Sequence, residues 1–432
     1  MSDVTVALLG ILILVVLMLL EMPVAFCMFV VGFLGLWIIQ GRAQAFNIIG
    51  SDIWEQFSSY GMSVVPFFIL MGNIAFRSGV TNDLFHAAYS WVGSVRGGMG
   101  VTTVIASAFF GAICGSNAAT AATMGTIALP MMSKFGYDDS LNTGSVAVGG
   151  TLGVMIPPSV VLIVIGIQYN LSIAKLFVAE LPAGLLLTVM FAITVLLLCW
   201  RNPKLGPAGP RTTFGEKIKA LLGVIETLLL FVLVIGGMFA GWFTPTEGGA
   251  VGCFGAIIIG VARGKLKWPA FKQALWDTIS TSTMVILLVA SAVVLGRFLT
   301  AAYLPSALAE WVTSINAPNL AVLLVIIIVY VLGGMFSDAL GFLTLSVPVF
   351  FPLAEALGYN IVWFAVLVTV VTTFGAISPP VGVNLYVVKN LRPDIPIATI
   401  MKGAMWFVPA YILVIVLLIA IPQLITAVVS AA

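Results

Sequence analysis

Uncharged apolar runs of span length recur from one end of this chain to the other, and that recurrence leaves few folds open. About 20 apolar residues cross a bilayer as one helix. Such runs fall at 4–20, 22–40, 62–78, 139–170, 175–200, 218–241, 245–262, 279–299, 360–390 and 404–428. In lipid every backbone amide must be satisfied within its own segment, so these runs are read as helices. Soluble proteins carry roughly 25% charged residues; here they are 8% of 432 residues, against 61% hydrophobic. So little charge cannot cover a soluble surface of this size. The chain therefore reads as an all-α polytopic membrane protein, which excludes a cytosolic enzyme, a secreted disulfide scaffold and a nucleic-acid binder. No Lys or Arg precedes the first run, so it is expected to be a retained span and not a cleaved signal.

Two further apolar stretches, 101–133 and 319–357, are too long for one span and are interrupted midway. The first breaks at Gly115-Ser116-Asn117, the second at Gly333-Gly334 and Ser337-Asp338. A polar tip between two short helices predicts a re-entrant hairpin; two ordinary spans joined by a tight loop is the alternative. The segment 201–216 holds Arg201, Lys204 and Arg211 among prolines and glycines. The positive-inside rule makes it a cytoplasmic linker. Counting crossings outward from it puts fifteen of the eighteen Lys and Arg on the cytoplasmic side. Arg42, Lys175 and Arg297 fall elsewhere. Both termini are then periplasmic, and each half, 1–200 and 217–432, crosses five times.

The halves match one another in order. Pro130 to Gly136-Tyr137 corresponds to Pro352 to Gly358-Tyr359 at an offset of 222 residues. Gly153 and Pro157-Pro158 correspond to Gly375 and Pro379-Pro380 at the same offset, and Ser116-Asn117 to Ser337-Asp338 at 221. Lys175 with Pro182 corresponds to Lys402 with Pro409, and Glu21 with Cys27 to Glu247 with Cys253. Two repeats with five crossings each are inverted. Inverted repeats with broken helices are the build of alternating-access secondary transporters.

Each repeat thus carries a hairpin tip and a helix broken by tandem proline beside glycine. Proline removes a backbone donor and clashes with the preceding turn. The freed carbonyls are costly in hydrocarbon unless a cation, water or another partner takes them. Such carbonyls with Ser, Thr, Asn or Asp side chains suit sodium. Asp338 is the only charged residue between Glu310 and Glu355. It is expected to bind a cation at its hairpin tip, to cap the hairpin through backbone amides, or to do both. The helix ends around the breaks favour an anionic group. Arg297 would add a positive charge there, unless it only snorkels to the outer interface. Glu21 and Glu247 read as carboxylates at helix starts, and Glu180 carries no assignment. Cys27, Cys114, Cys199 and Cys253 form no metal-binding spacing, and His86 is the only histidine. No transition-metal site and no enzymatic activity are expected.

With these residues in place, the chain resembles a known family. GSNAATAATMG, IPPS, TPTEGGAVG and SPPVGVN, in this order from Glu21-Met22-Pro23 to Phe407-Val408-Pro409, resemble the large membrane subunit of tripartite ATP-independent periplasmic (TRAP) transporters. The resemblance implies sodium-driven import of an organic acid anion, of sialic acid or C4-dicarboxylate type, by an elevator mechanism in the bacterial inner membrane. It implies a small four-helix membrane subunit, expected as a separate chain, and a periplasmic substrate-binding protein. Carried over residue by residue, it implies one sodium site at Ser116, Asn117, Gly153, Pro157 and Ser159. A second would lie at Ser337, Asp338, Thr373, Gly375 and Pro379. Between the tips the substrate would meet Asn117, Thr120, Ser159, Gly341, Gly382, Asn384 and Arg297. All four breaks fall within 97–170 and 318–390, which are expected to move together against the remaining scaffold. A stand-alone sodium/dicarboxylate carrier, and a channel or membrane scaffold, are the competing readings.

Overall fold

The computed structural model describes residues 2–315 and 317–431, the side chain of Ala431 excepted. Among the described residues the chain is helical, with no strand. Among the described residues, seven helices are long and apolar enough to cross a membrane, or up to nine if two bent pairs count as one span each. The chain is a polytopic membrane protein.

Several expected spans are divided. The run 218–241 is Phe214–Leu222 followed by Ile225–Phe239, bent by 53°. The run 404–428 lies in Ile397–Met405 and Val408–Ala420, bent by 41°, and a separate helix starts at Gln423 beyond Pro422. The run 279–299 is the inner part of a 34-residue helix, Trp268–Ala301. Asp3–Leu19 and Val24–Gln40 have 17 residues each, because Glu21 takes φ +64° and Pro23 starts the second. Glu21 therefore sits in a turn and caps nothing. Glu247 does cap: its carboxylate accepts from the Thr244 amide at 2.8 Å in a reciprocal capping box.

Three helices fill segments too polar for a span: Arg42–Ser58, Val80–Val92 and Leu304–Ser314. Arg42–Ser58 buries Ala45, Ile49 and Asp52 while exposing Phe46, Trp54 and Phe57, the pattern of a helix lying on an interface.

The helices outside the hairpins pair the repeats crosswise. Val24–Gln40 of the first packs on Trp268–Ala301 of the second, and Pro245–Ala262 of the second packs on Val64–Arg77 of the first. Small residues permit both crossings. A Cβ on Gly32 would lie 2.8 Å from the Leu295 nitrogen, and one on Gly252 would lie 2.5 Å from Met71 Sδ. The register is constant here: Gly79 and Tyr303, both with positive φ, start the equivalent helices Val80–Val92 and Leu304–Ser314 at an offset of 224.

The broken helices form the other half. Asp139–Met155 packs against both arms of the first hairpin, Gly98–Cys114 and Asn117–Lys134. Ile361–Gly375 packs against both arms of the second, Asn319–Phe336 and Ala339–Ala356. Beyond each break the chain crosses over: Val160–Gln168 lies on an arm of the second hairpin, and Val383–Leu391 on an arm of the first. The repeats are thus interlocked at the breaks. The linker is stitched down as well. Gly97 donates to the Gly206 carbonyl, Gly209 to the Gly93 carbonyl, and the Tyr137 hydroxyl to the Pro207 carbonyl.

Candidate functional site

The first tip is built by an αL glycine and a serine. Gly98–Cys114 ends at Gly115, with φ +66°, and Ser116 caps Asn117–Lys134 by accepting from the Ala119 amide at 3.5 Å. The broken helix lies directly on this tip. A Cβ on Gly153 would stand 2.4 Å from the Ser116 carbonyl oxygen and 2.4 Å from Thr120 Oγ1, and one on Gly111 would stand 2.7 Å from the Gly153 Cα. After Met155 the chain unwinds through Ile156, Pro157 and Pro158 until Ser159 caps Val160–Gln168 by accepting from Leu162. Gly115 faces the Pro158 carbonyl across the break. Ser116, Thr120 and Gly153 are thus brought together, with Pro158 meeting the tip at Gly115.

Its polar atoms are unspent. Both side-chain atoms of buried Asn117, and Thr120 Oγ1, lack a hydrogen-bond partner. Buried polar groups are nearly always paired, so an orphaned cluster asks for an explanation such as an ion or water.

The second tip repeats the glycine packing but not the capping: no αL glycine ends its first arm, and Asp338, not Ser337, caps the second. Gly334 and Gly375 take the places of Gly111 and Gly153: a Cβ on Gly334 would lie 2.3 Å from the Thr372 carbonyl, and one on Gly375 2.5 Å from the Val331 carbonyl. Asp338 stands where the first tip has Asn117. Its carboxylate accepts from the Leu340 amide at 3.2 Å, and its side chain faces a cavity. It therefore caps the hairpin and keeps lone pairs free, so the two sequence expectations are compatible. Ser337 is buried beside Gly341, and Thr373 is buried with its hydroxyl donating to the Val370 carbonyl. Gly382, with φ +58°, donates its amide to the Met335 carbonyl and ties the break past Pro379 to the hairpin. Asn384 reaches the other repeat: its Nδ2 donates to the Ala147 carbonyl at 2.9 Å, and its Oδ1 is buried without a partner.

A cavity of about 580 Å³ lies between the two tips and the helices Val64–Arg77 and Trp268–Ala301. Ser116, Asn117 and Asp338 line it from the tips, and Asn73 and Asp277 from those two helices. Thr123, Thr126 and Leu391 extend it toward the molecular end that carries Lys134 and Arg392. There, outside the spans, Arg392 hydrogen-bonds Asp394 and holds that carboxyl below its usual range. Thr120, Gly153, Pro157, Ser159, Ser337, Gly341, Thr373, Gly375, Pro379, Gly382 and Asn384 stand behind or beside this lining and not in it.

Arg297 is elsewhere. It forks onto Asp52, with Nε 3.0 Å and Nη2 3.2 Å from the carboxylate oxygens, and lies outside the cavity lining. Asn73, Asp277 and Thr126 carry no sequence signal for a site, being single polar residues in helices without a break. Tyr411 was equally hidden; its hydroxyl bonds Thr151 Oγ1.

A helical membrane protein with inverted repeats, paired re-entrant hairpins and paired broken helices around one cavity has the architecture of a secondary transporter. The family model described as "Tripartite ATP-independent periplasmic transporter, DctM component" matches residues 11–424, and the chain belongs to that family. It is 31% identical over 371 residues to the C4-dicarboxylate TRAP transporter large permease protein DctM of Pseudomonas aeruginosa, covering 86% of each chain. It is 31% identical over 403 residues to the sialic acid TRAP transporter large permease protein SiaM of Vibrio cholerae, covering 93% of each. Among solved structures, the Alcanivorax borkumensis YdaH transporter is similar with a TM-score of 0.62 at 15% identity, over 87% of this chain and 89% of that one. That likeness concerns the fold alone.

Proposed function

We propose that this chain is the permease subunit of a sodium-coupled importer of an organic acid anion, of C4-dicarboxylate or sialic acid type. The observation that carries the reading is the pair of equivalent tips, each with carbonyls and oxygen-bearing side chains, meeting at one cavity. Sodium would bind at Ser116, Asn117, Gly153, Pro157 and Ser159, and at Ser337, Asp338, Thr373, Gly375 and Pro379. Because Asp338 is ionisable and Asn117 is not, the second site is expected to hold its cation more strongly. The anion would lie between the tips.

The hairpins support an elevator mechanism by sitting unequally on an evenly paired scaffold. Gly72 and Gly296 occupy equivalent positions at the offset of 224. Gly72 touches the first hairpin at Ile113 and Cys114, next to its tip, whereas Gly296 touches the second hairpin at Pro348. Ile113 precedes the helix start at Asn117 by four residues, and Pro348 follows Asp338 by ten. At 1.5 Å per residue these depths differ by about 10 Å. Exchanging the depths would carry both tips past the scaffold by about that distance. The cavity opens toward the basic end, which the positive-inside rule makes cytoplasmic, so this is the inward-facing state of a protein in the bacterial inner membrane with periplasmic termini.

A small membrane subunit and a periplasmic binding protein are the proposed partners, as the word tripartite in the family description implies. The test is uptake of radiolabelled succinate and sialic acid into proteoliposomes holding the chain, the small subunit and the binding protein. Uptake is expected only with an inward sodium gradient and with all three components. Saturable uptake by the chain alone would favour a stand-alone carrier, and uptake indifferent to sodium would overturn the coupling.

A further inference from the structure

An anion carrier should avoid bare negative charge along its path, yet the charged side chains lining this cavity are carboxylates. Among the described residues they are Asp338 and Asp277. Asp338 belongs to the tip where a cation is proposed. Asp277 is on the scaffold wall, where no cation site is proposed. Its neutralising partner is Arg77, whose Nη2 donates to Asp277 Oδ2 from the facing scaffold helix. Gln273 Nε2 fixes the other carboxylate oxygen at 2.9 Å, and Asn73 Nδ2 joins the same two helices through Thr278 Oγ1 at 3.0 Å. Arg77 is only part-exposed, and its Nε is buried without a partner. The guanidinium therefore cancels Asp277 from just behind the cavity wall, outside the lining itself.

The arrangement has a twin. Arg297, near the C-terminal end of Trp268–Ala301 as Arg77 is in Val64–Arg77, pairs with Asp52 of Arg42–Ser58. Asp52 and Asp277 are 225 residues apart and Arg77 and Arg297 are 220 apart, so the two arginines differ by about one turn in register. Each pair joins the first repeat to the second. Under the inverted symmetry, the Arg297–Asp52 pair would stand to the opposite mouth as Arg77–Asp277 stands to this one if the hairpins exchange depths. The pair thus belongs to the repeat, and what singles out its Arg77–Asp277 copy is that Asp277 lines the cavity.

We propose that Arg77 is a specificity-determining residue of the transport path: its guanidinium neutralises Asp277 and turns a wall that would repel organic anions into one they can cross. The proposal rests on reading the cavity as an anion route. Its electrostatic core is measurable without transport, because Cys114 lines the same cavity part-exposed while Cys27, Cys199 and Cys253 are buried.

The experiment compares the rates at which an anionic sulfonatoethyl and a cationic trimethylammonioethyl methanethiosulfonate modify Cys114 in the full chain in nanodiscs. Arg77→Gln is expected to lower the anionic-to-cationic rate ratio by about fivefold or more, because Gly72, which touches Cys114, lies five residues from Arg77 on one helix, about 8 Å of rise, and a unit charge acts strongly over such a distance. Asp277→Asn should raise it, and the double variant Arg77→Gln/Asp277→Asn should return it to the wild-type value. Ala119→Cys in a Cys114→Ser background is a second reporter, since Ala119 is exposed on the same cavity. A ratio that stays constant across the series, or failure of either reagent to reach both reporters, overturns the proposal. Where the wild type carries succinate, Arg77→Gln should depress succinate uptake more than sialic acid uptake, and Asp277→Asn should rescue it. A wild type that carries no organic anion would sink the proposed function while leaving the rate ratios to be judged separately.

Discussion

At the scale of single residues, the charge difference between the two tips lies at one position, Asn117 against Asp338. A carboxylate attracts a cation in a low-dielectric site far more strongly than an amide does. Asparagine at 338 would keep the shape and one acceptor for the Leu340 amide, so the cap survives while the charge is lost. Asp338→Asn is therefore expected to fold with a near-native melting temperature. Its half-saturating sodium concentration in reconstituted vesicles should rise by tenfold or more, or uptake should vanish. An unchanged sodium dependence would reduce Asp338 to its capping bond. Arg297 shows where residue-level reading ran out. Its sequence position allowed an anion ligand or an interfacial anchor, and nothing local distinguished them. The deciding partner, Asp52, is 245 residues away and lies on a helix that had no signal of a span.

At the scale of elements, the breaks were legible and the surrounding helices were less so. Tandem proline after glycine unwinds a helix whatever packs on it, so 157–158 and 379–380 could be placed before the fold was known. The helices Arg42–Ser58 and Val80–Val92 were not, because a search for span-length apolar runs passes over segments whose hydrophobic residues cover one face only. The use of glycine in the hairpin arms also became clear only from packing. Gly334 and Gly375 let an arm and a broken helix touch backbone to backbone, and a Cβ on Gly375 would stand 2.5 Å from the Val331 carbonyl. Gly375→Ala must push these elements apart and is expected to cost about 1–3 kcal/mol, the usual range for overpacking. Gly296→Ala is the control, since its Cβ would meet only the Pro348 side chain at 3.3 Å. Thermal unfolding followed by tryptophan fluorescence should separate the two by several degrees; equal melting temperatures would mean the arm-to-helix contact is not tight in the folded protein.

At the scale of the whole molecule, inverted repeats convert one observed conformation into a specific expectation for the other. In the present state Gly296 faces Pro348, about 15 Å beyond the tip of the second hairpin at 1.5 Å per residue. The first hairpin meets Gly72 close to its own tip, at Ile113 and Cys114. If the two depths exchange, Gly296 should face the region equivalent to Ile113, which the 222-residue offset places at Met335. Two double-cysteine variants then report on opposite states. Gly296→Cys with Pro348→Cys should cross-link readily in the inward-facing state, and Gly296→Cys with Met335→Cys only after the tips have moved by about 10 Å. Gly296 is suited to this because its added side chain meets open space on all sides but one. With copper phenanthroline as oxidant, conditions that favour the outward state should decrease the first cross-link and increase the second. Each cross-link should also arrest uptake and release it on reduction. Should the Met335 pair never form under any sodium or substrate condition while the Pro348 pair always does, the hairpins are fixed on the scaffold, and a rigid-body elevator cannot be how this protein alternates access.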